Sequence, residues 1–194
     1  MTTPDHPLDP YDGILLLSSY QIVKALREAL MLTKFSAEVR AYAVAVTALV
    51  LRAIGTDPLT DLALLRVKTD KPLPAARFGD SNALRIGDWV MAIGNPFGLG
   101  GSVTAGIVSA NGRNIGAGPY DDFIQIDAPV NRGNSGGPTF DVNGHVIGVN
   151  TAIFSPSGGN VGIAFAIPAT SAREVVQDLI RDGVVQRGWL GVEI

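Results

Sequence analysis

Ser135 is the residue whose neighbours best equip it for chemistry. It lies in the segment Asp127-Ala128-Pro129-Val130-Asn131-Arg132-Gly133-Asn134-Ser135-Gly136-Gly137-Pro138. A nucleophilic serine needs an exposed hydroxyl and nearby amide N–H groups aimed at one point. Glycines on both sides let the backbone turn sharply and let a substrate come close. In such a loop the N–H groups of Gly133 and Ser135 can form an oxyanion hole, where each donor is worth roughly 3–4 kcal/mol. By composition alone the same residues also describe an ordinary surface loop. Gly133-Asn134-Ser135-Gly136-Gly137 further satisfies G-x-S-x-G, the nucleophile elbow of α/β-hydrolases. That elbow requires a helix directly after the serine and a triad in the order Ser, acid, His. Here Pro138-Thr139-Phe140 leads toward a hairpin, and the only downstream histidine, His145, is too local in sequence to serve as the base.

Carboxylates are plentiful, with 18 Asp and Glu residues, but histidine bases are few. Asp57 and Asp61 stand on either side of a Pro58 turn, just before an apolar run. The chain has 2 histidines, His6 and His145. His6 sits among prolines, as a tail residue would, and His145 directly follows a turn. Cysteine is absent, which excludes disulfides, thiolate catalysis and Cys-ligated zinc. No metal or cofactor is expected. A net charge of −3 without a basic block argues against a nucleic-acid partner.

The elements that must position these residues read mainly as strands. The 194 residues are 46% hydrophobic and 17% charged, with Gly 23 and Pro 12, a globular composition rich in turns. Apolar runs at Asp61–Val67, Trp89–Ile93, Val103–Val108, Phe123–Ile126, Phe140–Val142, Val146–Val149 and Val161–Ile167 alternate with turn clusters such as Gly94-Asn95-Pro96-Phe97-Gly98. Asn143-Gly144 reads as a type I′ hairpin turn. One helix is marked by Ser171 and Glu174 as a capping box, an apolar face of Val175, Val176, Leu179 and Ile180, and Gly183 at its end. Residues 1–53 are less legible. Ile14–Leu17 is a short apolar run, Gln21–Leu32 fits a helix or a strand, and Tyr42, Val44 and Val46 alternate with alanines in a way that favours a strand over an Ala-rich helix, which the residues also allow. The most apolar stretch, Ala41–Leu51, falls well short of the roughly twenty residues a membrane-spanning helix needs. Met1–Pro10 lacks the basic start of a signal peptide.

Together these segments resemble the HtrA/Deg family of trypsin-like serine proteases. The resemblance rests on Gly55-Thr56-Asp57-Pro58-Leu59-Thr60-Asp61-Leu62-Ala63-Leu64-Leu65, Gly87–Gly98, Val103–Ala110, Phe123–Pro138, Ile147–Asn150 and Gly162–Pro168, in the family's order. It implies an all-β fold of two trypsin-like barrels, the second complete and the first degenerate, followed by one helix. The division it implies is a degenerate or replaced first lobe over 1–53, the peptidase domain over 54–183, and the start of a truncated PDZ domain over 184–194. It makes Ser135 the nucleophile, Asp61 the acid, and the N–H groups of Gly133 and Ser135 the oxyanion hole. Asn150, Thr151, Ala152 and Ile153, with the loop 154–160, become the wall of a small apolar pocket. The implied substrates are unfolded or misfolded polypeptides, the implied compartment is the periplasm, and family members form homo-oligomers.

What the resemblance does not supply is the base. Asp12-Gly13-Ile14-Leu15-Leu16-Leu17-Ser18-Ser19-Tyr20-Gln21-Ile22-Val23 resembles the family's histidine segment, with Gln21 at the histidine's place. Glutamine cannot exchange a proton near neutral pH, and loss of the triad histidine in subtilisin costs on the order of a million-fold. Three readings follow: a family endopeptidase whose chain is weak or inactive, a pseudoprotease that binds extended peptides by strand addition, or a truncated product without stable function. Structurally, Ser135 should lie on a loop between strands, facing Asp61.

Overall fold

A computed structural model of the chain describes residues 14–18, 51–67, 73–99 and 101–188. Gln21, Gln21–Leu32 and Tyr42–Val46 lie outside these residues, as do His6 and most of 184–194 beyond Gly188.

Among the described residues the fold is mainly β, with one α-helix. Strands β1 (Ile14–Ser18), β2 (Leu51–Asp57) and β3 (Leu62–Val67) form an antiparallel sheet in the order β1-β3-β2. Ile14 pairs with Arg66 at one end and Ser18 with Leu62 at the other. The apolar run Leu62–Leu65 is buried throughout, as expected of a central strand covered on both faces.

The second unit is a closed barrel. Its strands are β5 (Trp89–Gly94), β6 (Ser102–Arg113), β7 (Phe123–Ile126), β8 (Pro138–Asp141), β9 (His145–Ile153) and β10 (Ala164–Pro168). They run in the order β10-β7-β6-β5-β8-β9, and a β9–β10 pairing closes the ring. The two-residue strand β4 (Arg77–Phe78) lies parallel to β9 outside the ring. Closure removes the unpaired edges that would otherwise invite aggregation. Period-two alternation fills the interior: Val90 and Ala92 of β5 are buried while Trp89 and Met91 between them are exposed. Val90, Ala92, Val108, Ile124, Ile126, Ala128, Val130, Ile147 and Ala164 make the barrel core.

Helix α1 (Ala169–Asp182) joins the two units. Its Ala172, Val175, Val176 and Leu179 pack with Leu62 and Leu64 of β3 and with Val149 and Ile167 of the barrel's outer face. The capping box expected at Ser171 does not form. The helix begins at Ala169 without a side-chain cap of its own, and the Ser81 hydroxyl accepts from the Thr170 N–H at 3.1 Å. A distant loop thus supplies what the local motif was expected to supply. Ile180 falls off the buried face, at 37% exposure. Gly183 does end the helix, with φ 74 and its N–H on the Leu179 carbonyl at 3.1 Å.

The β8–β9 hairpin also differs from expectation. Only Gly144 of the pair Asn143-Gly144 has positive φ, and three residues, not two, separate the strands. The Asp141 carboxylate accepts from the N–H groups of Asn143 and His145, at 2.9 and 2.8 Å. This side chain stabilises a three-residue loop closed by one left-handed glycine, in place of a type I′ turn.

Ile126 has no exposed surface and sits at the centre of the barrel. Ile126→Ala should therefore lower the free energy of unfolding by about 2–5 kcal/mol, read as a fall in urea midpoint. Ile180→Ala, at the rim of the helix, should cost under about 1 kcal/mol in the same assay.

Candidate active site

The loop 127–137 leaves strand β7 and enters strand β8, with turns and no helix between. Ser135 is therefore on a strand-to-strand loop, and the helix that an α/β-hydrolase elbow requires is absent there. Two neighbours hold the loop. On one side, the turn after β5 donates the Asn95 N–H to the Gly133 carbonyl at 3.2 Å and the Phe97 N–H to the Arg132 carbonyl at 2.8 Å. On the other, β9 binds through a pair of bonds: the Gly136 N–H to the Asn150 carbonyl at 2.7 Å, and the Asn150 N–H to the Gly137 carbonyl at 2.9 Å. The Asn134 and Gly137 N–H groups turn inward to the Asn131 and Asn134 carbonyls, at 3.1 and 2.9 Å.

Between Gly133 and Gly137 this accounting leaves two groups over. Among the described residues, the N–H groups of Gly133 and Ser135 donate to no protein acceptor. Neither belongs to a strand ladder, which keeps both available to an incoming oxygen. Ser135 is half-buried, between the fully buried pair Asn134 and Gly136.

Glycine at 133 is dictated by geometry. Its φ is +106, and a Cβ there would meet the Asn95 carbonyl oxygen at 2.2 Å. Gly94 performs the matching service from the other side, since a Cβ there would meet the Asn134 Cα at 2.6 Å. Asn134 Oδ1 is buried and has no partner among the described residues.

Asp61 approaches the same strand from the other unit. It ends the turn between β2 and β3, has φ 56, and is half-buried. Its Oδ2 accepts from the Thr151 hydroxyl at 3.1 Å. Thr151 directly follows Asn150, so adjacent residues of β9 hold Asp61 and the Ser135 loop. The two candidates are brought together by one strand, across the junction of barrel and sheet.

The expected pocket residues divide by role. Asn150 is fully buried, and its side chain accepts from the Thr139 hydroxyl at 2.6 Å. Its backbone is the part that engages the serine loop. Thr151, Ala152 and Ile153 are half-buried, and Ile153 packs against the barrel core. The loop 154–160 is tied back through Asn160, whose N–H donates to Asn131 Oδ1 and whose Nδ2 donates to the Val130 carbonyl, both at 3.0 Å. Reading along the sequence missed these asparagine links and the Thr151 bond. Asparagine in a turn-rich stretch ordinarily signals only a turn.

Asp57, the alternative acid, is committed elsewhere. It is 4% exposed and accepts both arms of the Arg187 guanidinium, Nη1 on Oδ1 at 2.8 Å and Nη2 on Oδ2. Burial pushes its carboxyl up, but bonds from Arg187, Thr60 and Leu59 and the Arg187 charge outweigh that and hold it below the ordinary range. The bond to Asp57, working against burial, holds Arg187 above its own ordinary value. His145 is placed apart from the serine. It opens β9, lies 3.5 Å from Asp141, and stands five residues from Asn150, about 17 Å along an extended strand.

The sequence model of the trypsin-like peptidase domain matches residues 9–149. A probable periplasmic serine endoprotease, DegP-like, of Bartonella henselae is 73% identical over 143 residues, which are 74% of this chain and 28% of that protein. Its counterpart in Rickettsia prowazekii is 57% identical over 147 residues, or 74% of this chain and 29% of that one. The chain thus spans less than a third of these relatives' length. Among solved structures, the HtrA-type protease AlgW with a decapeptide is 56% identical, with a TM-score of 0.71, covering 74% of this chain and 44% of that one. The same protease with a tripeptide gives 56% and 0.71 over 74% and 48%.

Two outcomes follow from this geometry. Gly133→Ala should force the loop away from Asn95 and cost about 1–3 kcal/mol, seen as a lower unfolding midpoint with altered amide signals for Asn95 and Phe97. Arg187→Met should cost about 3 kcal/mol at neutral pH by stranding the buried Asp57 charge. Without its partner the Asp57 carboxyl is left to the upward push of burial, so the cost is whole only while that carboxyl stays ionised in the variant, and it shrinks from there down through the lowered value Asp57 has in the parent. The gap in urea midpoint between parent and variant should be widest at pH 7 and narrow as the pH falls toward and below about 4.

Proposed function

This chain belongs to the trypsin-like peptidase family, among the HtrA/DegP-like serine endoproteases, and we propose that Ser135 is its nucleophile and Asp61 its acid. The observation that carries the assignment is the pairing along β9, where Asn150 holds the serine loop and Thr151 holds Asp61. In this reading Ser135 Oγ attacks a peptide carbonyl, and the resulting oxyanion takes the free N–H groups of Gly133 and Ser135. Thr151, Ala152 and Ile153 line the side of the cleft that receives the residue before the cut. The half-buried apolar character of that wall favours small aliphatic side chains in an unfolded polypeptide.

Asp57 is the weaker choice of acid, because both its oxygens are occupied by Arg187. The base is the part that limits the chain. His145 is too far along β9 to serve. Gln21 takes the histidine's place by resemblance. Support comes from β1, whose last residue, Ser18, pairs with Leu62, the neighbour of Asp61. The end of β1 therefore lies beside the acid. Glutamine there can donate and accept hydrogen bonds but cannot carry a proton from the serine. Hydrolysis by this chain is accordingly weak, and binding of extended peptides without cleavage is the second reading. We further assign residues 1–53 to an altered first lobe, 54–183 to the peptidase domain and 184–194 to the approach to a PDZ domain. Action in the periplasm and assembly into homo-oligomers belong to the same proposal.

The test is the purified chain with an unfolded substrate such as casein and with a fluorophosphonate probe. The parent should cleave and label very slowly, and Gln21→His should raise labelling of Ser135 by about a hundredfold or more. Robust casein cleavage by the parent, abolished in Ser135→Ala, would mean that some other group acts as base. No gain in a folded Gln21→His variant would remove Gln21 from the site.

A further inference from the structure

We propose that Arg187 is a positioning residue for the Asp61 carboxylate, acting through the carboxylate of Asp57. The proposal builds on the reading of Asp61 as the acid of the site. Arg187 lies beyond helix α1, far in sequence from the turn it contacts.

The turn from Asp57 to Asp61 has to end in an unfavourable conformation. Asp61 has φ 56, in the left-handed region that few non-glycine residues enter, although Asp and Asn do so more often than most. Asp57 holds the turn that leads to it. Its carboxylate accepts from the Thr60 hydroxyl at 2.5 Å and from the Leu59 N–H, and its carbonyl accepts from the Thr60 N–H at 3.3 Å. Three bonds thus bind the turn to one residue. Two of them, to the carboxylate, can hold the turn in front of Asp61 only if that carboxylate is itself fixed.

Arg187 supplies this. Its planar fork meets both Asp57 oxygens, a two-point contact that sets the orientation of the carboxylate as well as its position. The guanidinium is held in turn over the Tyr120 ring, 4.5 Å from its centroid. Tyr120 lies in the loop between β6 and β7, so the clamp is anchored to the barrel. The far end of the chain of contacts, Thr151, is also in the barrel. The acid-bearing turn is therefore held between two barrel points, Tyr120 through Arg187 and Asp57 at its start, and Thr151 at its end.

A purely stabilising ion pair would leave Asp61 where it is when the pair is lost. A positioning role predicts that loss of Arg187 is felt at Asp61 and Thr151. The experiment uses the ¹⁵N-labelled 194-residue chain and the variants Arg187→Gln and Arg187→Lys. In Arg187→Gln the amide signals of Asp61 and Thr151 should move more than those of the barrel residues Val108 and Ile126. The Thr60 amide, which donates to the Asp57 carbonyl, should exchange about tenfold faster, the equivalent of one lost neutral hydrogen bond. Arg187→Lys should show the same pattern, because an ammonium cannot hold both oxygens in a plane. Ethylguanidinium added to Arg187→Gln should return the signals toward the parent's. Unmoved Asp61 and Thr151 signals in the variants would overturn the proposal, and if Arg187→Gln does not fold, Arg187→Lys decides alone. The acid role is tested apart from this, by Ser135 labelling of Asp61→Asn in the Gln21→His background. Undiminished labelling there would remove Asp61 as the acid while leaving the positioning result intact.

Discussion

Strand β9 has no wet face over its central residues, and most of the structure is arranged around that constraint. Val146–Asn150 are all buried. Ile147 packs in the barrel core and Val149 in the second core with α1 and β3, although they are two residues apart, because the β8–β9 pairing skips Ile147 between Val146 and Gly148 and so switches the face of the strand. A strand sandwiched in this way cannot slip by one residue without exchanging its two cores. Its register is consequently stiff, and groups bonded to it inherit that stiffness. The serine loop hangs from Asn150 and the Asp61 carboxylate from Thr151, so the two sides of the candidate site share one rigid support.

The loop itself is held by backbone groups and not by long side chains. Asn95 and Phe97 donate to it from the β5 turn, and Gly136 and Gly137 join it to Asn150. Contacts this close leave no room for Cβ atoms, which explains glycine at 94, 133 and 137 together: a Cβ at Gly137 would meet the Ile93 carbonyl oxygen at 2.2 Å. With the amides of Asn134, Gly136 and Gly137 spent on such bonds, the free N–H groups between Gly133 and Gly137 are those of Gly133 and Ser135. Preorganisation of this kind costs little at the moment of reaction, because the donors are already fixed.

The junction between sheet and barrel is maintained by two different kinds of force. Leu62, Leu64 and the apolar face of α1 form a dry contact that is insensitive to direction. The Asp57–Arg187 pair and the Asp61–Thr151 bond are directional, and they lie at the two ends of the β2–β3 turn. Burial brings the units together, and the polar contacts fix how the turn is set against β9. Nothing in the dry contact alone would orient a carboxylate.

Local chemistry is what the sequence could state by itself. Alternation in Trp89–Gly94 marked an inward and an outward face, the Gly-flanked Ser135 marked a sharp loop, and Gly183 marked a helix end, because each depends on a few adjacent residues. The strands of the barrel and the order of the family's segments were legible on the same grounds. Tertiary structure decided what depends on residues far apart. Ser81, not Ser171, serves the start of α1; the Asp141 side chain converts the Asn143-Gly144 turn; Thr151 becomes a partner of Asp61; and Arg187 takes Asp57 out of contention. Each of these is a polar group satisfied by a partner that folding brings near. A buried donor or acceptor must find some partner, but which one is a property of the closed barrel and the packed helix, not of the neighbouring letters.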